Sequence, residues 1–125
     1  MNLNQVTVPA RDVARSAEFY QKLGLKLIVD SIPRYARFEC PDGDSTFSLH
    51  HRENFTPCAE LVVYFECDDL DEQVEKLKRA GIEFEAEPTD RAWLWREIYL
   101  KDPAGNQLCL FRAGENRQNP AWRVK

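Results

Sequence analysis

No Cys-x-x-Cys pair occurs in this sequence. Its four cysteines, Cys40, Cys58, Cys67 and Cys109, fall at irregular spacings, which excludes a zinc knuckle and a disulfide framework and predicts reduced thiols. There is no run of the roughly 18 to 20 apolar residues that a membrane span needs, so a membrane is not expected as a partner. The first ten residues lack the basic-then-apolar order of a signal peptide, and a cytoplasmic location is expected. Positive charge is not in excess either. With 17 Lys and Arg against 21 Asp and Glu, the net charge is −4 and the basic residues are scattered, so the surface should repel a phosphate backbone and nucleic acid is excluded as a partner. Finally, no Ser-His-Asp or Cys-His order suggests a nucleophilic relay.

What is present is a chain of 125 residues, 43% hydrophobic, enough for one domain with a real core and too short for two independent ones. Its organisation is a repeat. An alternating apolar strand at residues 6–8 ends at Pro9 and leads through Asp12 into a helix over 14–23, stopped by Gly24, with a strand at 25–29. The same order returns with a strand at 61–65, Asp69 as helix start, a helix over 70–80, Gly81 as its stop and a strand at 82–84. Val6 and Val63, Asp12 and Asp69, Glu18 and Glu75, and Gly24 and Gly81 are each 57 positions apart. Each unit continues with two strand-like runs, 35–40 and 46–50 in the first, 92–100 and 107–111 in the second, joined by the turns Pro41-Asp42-Gly43 and Asp102-Pro103-Ala104-Gly105. The expected fold is therefore α+β: two tandem βαβββ modules, residues 1–56 and 57–112, whose mixed sheets form a shared cleft, followed by a tail at 113–125.

Side chains alternate faces along a strand, so each sheet divides into a helix-facing and an opposite side. On the helix side the pattern places Val6, Val8, Phe38, Phe47, Leu49, Val63, Phe65, Leu94, Ile98, Leu108 and Leu110 as core. The opposite side carries Gln5, Thr7, Arg37, Glu39, Ser48, His50, Val62, Tyr64, Glu66, Trp93, Trp95, Glu97, Tyr99, Gln107, Cys109 and Phe111. Aromatic rings with a few polar groups among them are the composition of a ligand pocket. The alternative is that Trp93, Trp95 and Tyr99 fill the gap between the sheets or a dimer contact.

These residues resemble the vicinal oxygen chelate superfamily, which contains glyoxalase I, bleomycin-resistance proteins, fosfomycin-resistance proteins and extradiol dioxygenases. The resemblance is carried by Val8-Pro9-Ala10-Arg11-Asp12-Val13 with Ser16 and Phe19-Tyr20, by Leu23-Gly24-Leu25, by Asp68-Asp69-Leu70-Asp71, and by Asp102-Pro103-Ala104-Gly105-Asn106. It spans nearly the whole chain and is specific for the fold more than for any one reaction. It also implies a homodimer.

Metal-dependent members of that superfamily place one ligand on the first and last strand of each module. The matching positions here are Gln5, Ser48, Val62 and Cys109. Glutamine serves at the first position in some glyoxalases and a cysteine can hold zinc as a thiolate, but valine ligates nothing and serine is a poor donor. No metal cofactor is therefore expected. His50 and Glu60, two residues from the vacant positions, are the candidates for rescuing a divalent site such as zinc or nickel.

The resulting expectation is a metal-free binder of a small, flat or cationic molecule, as bleomycin-resistance proteins are. Tyr64, Trp93, Trp95 and Tyr99 would stack on it, Glu66 and Glu97 would supply countercharge, and Arg37 and His50 would complete the site. The competing expectation is a metal-dependent lyase or isomerase resembling glyoxalase I, built on Gln5, His50, Glu60 and Cys109. In the tail, Ala121, Trp122 and Val124 suggest an arm pinned by one aromatic anchor; a frayed end is the alternative.

Overall fold

The computed structural model of the chain describes all 125 residues, Met1–Lys125. Strand β1 (Gln5–Ala10) leads into helix α1 (Val13–Lys22), then β2 (Lys26–Ser31), β3 (Tyr35–Glu39) and β4 (Thr46–His51); β5 (Val62–Glu66), α2 (Leu70–Arg79), β6 (Thr89–Asp90), β7 (Arg96–Lys101) and β8 (Gln107–Arg112) repeat the order, and a 3-10 turn follows at Gly114–Arg117. Each repeat forms one four-stranded mixed sheet, β1-β4-β3-β2 and β5-β8-β7-β6, in which the first strand pairs parallel with the last and the remaining pairs are antiparallel. The tandem βαβββ architecture read from the repeat is the observed one.

The helices form where the punctuation puts them. The Asp12 carboxylate accepts the Arg15 amide at 3.1 Å as an N-cap, and Gly24, at φ +104°, takes the left-handed conformation that ends the helix cheaply only with glycine. Val13, Ser16, Ala17 and Tyr20 lie buried along one stripe of α1. In α2 the buried stripe is Leu70, Val74 and Leu77. Asp69 caps it without a side-chain hydrogen bond, while Asp71 and Glu72 in the first turn and Lys76, Lys78 and Arg79 in the last complement the helix dipole.

Four sequence expectations change. Pro9 does not end β1: in a parallel edge strand its missing amide costs no ladder bond, and its carbonyl accepts the Asn106 amide nitrogen at 2.9 Å. Residues 82–84 form no strand. Ile82 is buried, its amide returning to Leu77 at 3.0 Å, and the Glu85 amide makes a single bond to the Tyr99 carbonyl of β7 at 3.2 Å, while Pro88 offers no donor and the ladder with β7 forms at Thr89–Asp90. Residues 92–94 are a turn closed by Arg91 N to Trp95 O at 2.8 Å, with Leu94 at φ 66°. Leu94 is therefore 55% exposed and not core. Trp122 remains 57% exposed, so no aromatic anchor buries the tail on its own chain. What holds the tail instead is the Glu66 carboxylate, which accepts the amides of Ala113 and Gly114 at 2.9 and 3.0 Å.

By contacts the chain divides into two compact units, Met1–Ala59 with Asp102–Asn106, and Glu60–Lys101 with Gln107–Lys125. The β7–β8 turn thus belongs to the first unit. Its anchor is the buried Asp102 carboxylate, which accepts the Tyr20 hydroxyl at 2.7 Å, the Ala104 and Asn106 amides at 3.0 and 2.9 Å, and the Asn106 side-chain nitrogen at 2.8 Å. Gly105 sits at φ +93° in this turn, and a Cβ there would come within 2.9 Å of the Pro57 ring.

Removing the carboxylate would leave its donors without an acceptor, whereas removing the Tyr20 hydroxyl takes away one bond of four. Tyr20→Phe is expected to lower unfolding free energy by about 1 kcal/mol and Asp102→Ala by about 3 kcal/mol, read from urea denaturation. An Asp102→Ala loss no larger than that of Tyr20→Phe would show that the turn's own three bonds to Asp102 add nothing to stability.

Candidate aromatic and polar sheet faces

In the second unit β8 is central, and its register puts Cys109 between Tyr64 and Tyr99 and Phe111 between Glu66 and Glu97. Trp95, just before β7, stacks on Phe111 with centroids 4.6 Å apart and planes 20° apart. Tyr64 stands edge-on to both, at 6.0 and 5.7 Å, and is 47% exposed. Val62, Trp95 and Tyr99 pack around buried Cys109, Phe111 and Ala113. Burial first, and then the neighbouring Tyr64 hydroxyl, raise the Tyr99 hydroxyl well above its ordinary value. The rings form an apolar platform that meets solvent through Tyr64.

Both carboxylates of this face are already partnered. Glu97 is buried and its Oε1 lies 3.1 Å from Arg91 Nε. Glu66 holds the tail amides through Oε2 and faces Arg117 Nε at 3.5 Å through Oε1. Trp93 sits on the β6–β7 turn and has no ring contact with the cluster. Of the second-unit residues expected at a site, Tyr64, Glu66, Trp95, Glu97 and Tyr99 come together and Trp93 stays apart.

The first unit's open face is polar. Ser48 is wholly buried and its Oγ lies 2.7 Å from both Gln5 Nε2 and Tyr35 Oη. Thr46 donates to Gln5 Oε1, and Arg37 Nε donates to Tyr35 Oη at 2.9 Å. His50, opposite Tyr35 in the sheet, meets that ring edge-on at 6.3 Å. Arg37 and His50 thus share this face, with Tyr35 between them. Tyr35 and Arg91 were absent from the sequence-derived site; period-two alternation with Arg37 would have found Tyr35, but nothing local pairs Arg91 with Glu97.

The four superfamily metal positions do not offer a donor set. Gln5 and Ser48 are hydrogen-bonded to each other, Val62 has no donor atom, and burial with the nearby Glu97 charge pushes the Cys109 thiol up to about 12. Glu60 lies exposed in the turn before β5 and not on the strand, which removes it from the rescue set. No three His, Cys, Asp or Glu side chains are grouped to hold an ion. Two depressions lie off these faces: about 430 Å³ beside Arg11, Arg34 and His51, and about 280 Å³ beside Arg96 and Arg112. Neither contains a ring of the aromatic cluster, so the sheet faces are the better candidates.

Alkylation at pH 8 should label exposed Cys58 quickly and Cys109 only on unfolding, read by peptide mass spectrometry. Because the folded Cys109 value is raised from 9.0 to about 12, its contribution to stability is full below pH 9 and is lost as pH rises from there toward 12. Cys109→Ala should flatten part of that alkaline decline; an unchanged slope would show that the thiol is not the group responsible.

Residues 2–110 match the sequence model of the Glyoxalase/Bleomycin resistance protein/Dioxygenase superfamily. No curated protein is similar enough in sequence to count as a relative. Among solved structures, a lactoylglutathione lyase from Agrobacterium tumefaciens superposes with a TM-score of 0.75 at 19% identity, covering 94% of this chain and 96% of that one. A glyoxalase/bleomycin resistance protein/dioxygenase from Nocardioides gives 0.77 at 23% identity, covering 100% and 90%. A bleomycin-binding protein complexed with bleomycin gives 0.72 at 22% identity, covering 90% and 98%. At such identities the structural likeness speaks to the fold, and the sequence match speaks to descent. The chain belongs to the glyoxalase/bleomycin resistance protein/dioxygenase superfamily.

Proposed function

We propose that this protein binds a small flat molecule without a metal, by stacking it on the aromatic face of the second unit. The observation that carries the reading is the packed group of Trp95, Phe111 and Tyr64, whose mutual contacts fix the ring planes before any ligand arrives. The donor-poor set Gln5, Ser48, Val62 and Cys109 favours binding that does not depend on an ion, and one structural relative is a bleomycin-binding protein. Of the flat and cationic characters expected from the sequence, the flat one is favoured, because Glu66 and Glu97 are neutralised within the chain. The reading extends to a cytoplasmic homodimer that does not take nucleic acid as a partner, in keeping with its net charge of −4. Deleting residues 116–125 and measuring mass in solution tests whether the tail holds such a pair.

The chain's three tryptophans make the test optical. Titration with planar aromatic compounds is expected to quench fluorescence at sub-millimolar concentrations, and Trp95→Leu to weaken binding about tenfold, the loss of one stacking partner. Cationic and neutral versions of one ring system should bind alike. Absence of quenching by every compound, or equal affinity in Trp95→Leu, would overturn the reading. Stoichiometric zinc or nickel in the native protein would replace it with the metal-dependent lyase or isomerase alternative.

A further inference from the structure

We infer that the open face of the first sheet, at Arg37 and Tyr35, is a binding site for the oxyanion of a small molecule, a carboxylate or a phosphate monoester. The inference goes beyond the stacking reading and stands on the first unit alone.

It begins with counting protons. A hydroxyl carries one donor and two acceptor lone pairs. The Ser48 oxygen already accepts from Gln5 Nε2, and Ser48 is wholly buried, so its own proton has neither water nor any acceptor except Tyr35 Oη, 2.7 Å away. Given that proton, Tyr35 Oη receives two donors, Ser48 Oγ–H and Arg37 Nε–H, and both lone pairs are occupied. The phenol proton is then left with no acceptor in the chain, on a side chain that is only half buried. The reverse assignment would strand the Ser48 proton in the interior, which costs the desolvation of an unsatisfied donor. The Tyr35 value moves accordingly. Burial raises it, but the hydrogen bonds from Ser48 and Arg37, with the Arg37 charge, bring it below its ordinary value, as expected when donors converge on the oxygen.

The charge points the same way. Three other arginines are held by carboxylates, Arg91 by Glu97, Arg96 by Asp71 and Asp90, and Arg117 by Glu66, while Arg123 is held by the Asn119 side chain and Arg11 lies over the Phe55 ring. Arg37 is held by a neutral phenol, with its guanidinium carbon 5.5 Å from the centre of that ring, so its positive charge is uncancelled. Glu39, two residues along the same strand face, is taken by Lys26 at 3.6 Å. Only Nε of Arg37 is engaged, which leaves its two terminal nitrogens, the pair that grips planar oxyanions in bidentate fashion. A solvated surface arginine needs no anchoring. This one is fixed through Tyr35, Ser48 and Gln5 to Thr46, across three strands of one sheet. A rigid donor array with surplus protons and surplus positive charge is complementary to an anion and not to a cation or a neutral acceptor-poor ring.

The test is a nuclear magnetic resonance titration that follows the Arg37 Nε–H and Tyr35 ring signals. Benzoate and phenyl phosphate probe the two oxyanion sources; benzamide and benzylammonium are the neutral and cationic controls. The anions should shift both signals saturably, and the controls should leave them in place. Arg37→Gln, at an exposed position, should weaken anion binding by about tenfold or more. Tyr35→Phe, lacking the free proton, should weaken it several-fold, while Trp95→Leu should leave the benzoate-induced shifts unchanged. Benzoate and benzamide shifting the signals equally, or Arg37→Gln binding benzoate as the parent does, would overturn the inference. So would no shift from either anion at its solubility limit. None of these outcomes touches the stacking reading, which falls only on its own fluorescence test.

Discussion

One buried hydrogen bond organises this molecule: the Tyr20 hydroxyl donating to Asp102 across 82 residues of sequence. A carboxylate cannot be taken from water without donors, and Asp102 gathers four, three from its own turn and one from helix α1. The result is that the turn between β7 and β8 belongs to the first unit although both its strands belong to the second. The turn leads directly into β8, whose pairing with β5 and β7 brings Cys109 and Phe111 into the centre of the aromatic face. Asn106 extends the same network to the Pro9 carbonyl, so the end of β1 is tied to it as well.

The two repeats share a topology and have diverged in chemistry. On the first sheet the open face is a chain of hydroxyl and amide groups ending in an unneutralised guanidinium. On the second it is a set of interlocked rings whose nearby acids have been neutralised within the unit. The four positions matched to the superfamily's metal ligands differ in the same way. Gln5 and Ser48 are members of a hydrogen-bond relay, while Val62 and Cys109 are part of an apolar layer in which a thiolate is unfavourable. Each of the four residues is consistent with the chemistry of the face around it.

Legibility from sequence followed the range of the interactions involved. Helix boundaries were readable because Asp12, Gly24 and Gly81 act on the backbone beside them. Strand faces were readable where alternation is regular, which placed Arg37, His50, Tyr64, Trp95, Glu97 and Tyr99 together on the side away from the helices, and the structure divides them between two sheets. Prediction failed at residues 82–84 and 92–94, where apolar residues serve a loop and a turn, because a lone buried Ile82 or a left-handed Leu94 looks like strand to any periodicity argument. Glu66 and Glu97 were read as free charges for the same kind of reason: their partners, the Ala113 and Gly114 amides and Arg91, are made available only by the path of the chain.

By itself, then, the sequence determined the repeat, the order of elements, the superfamily and the absence of liganding atoms at Val62, since these depend on residue type and on neighbours along the chain. Tertiary structure decided which polar groups remain unsatisfied. Hydrogen bonds and ion pairs between distant strands consume donors, acceptors and charge, and only after Ser48 is buried against Tyr35, and Glu97 against Arg91, does it become clear that on these two sheet faces the Arg37 guanidinium and the face of a ring cluster are left over.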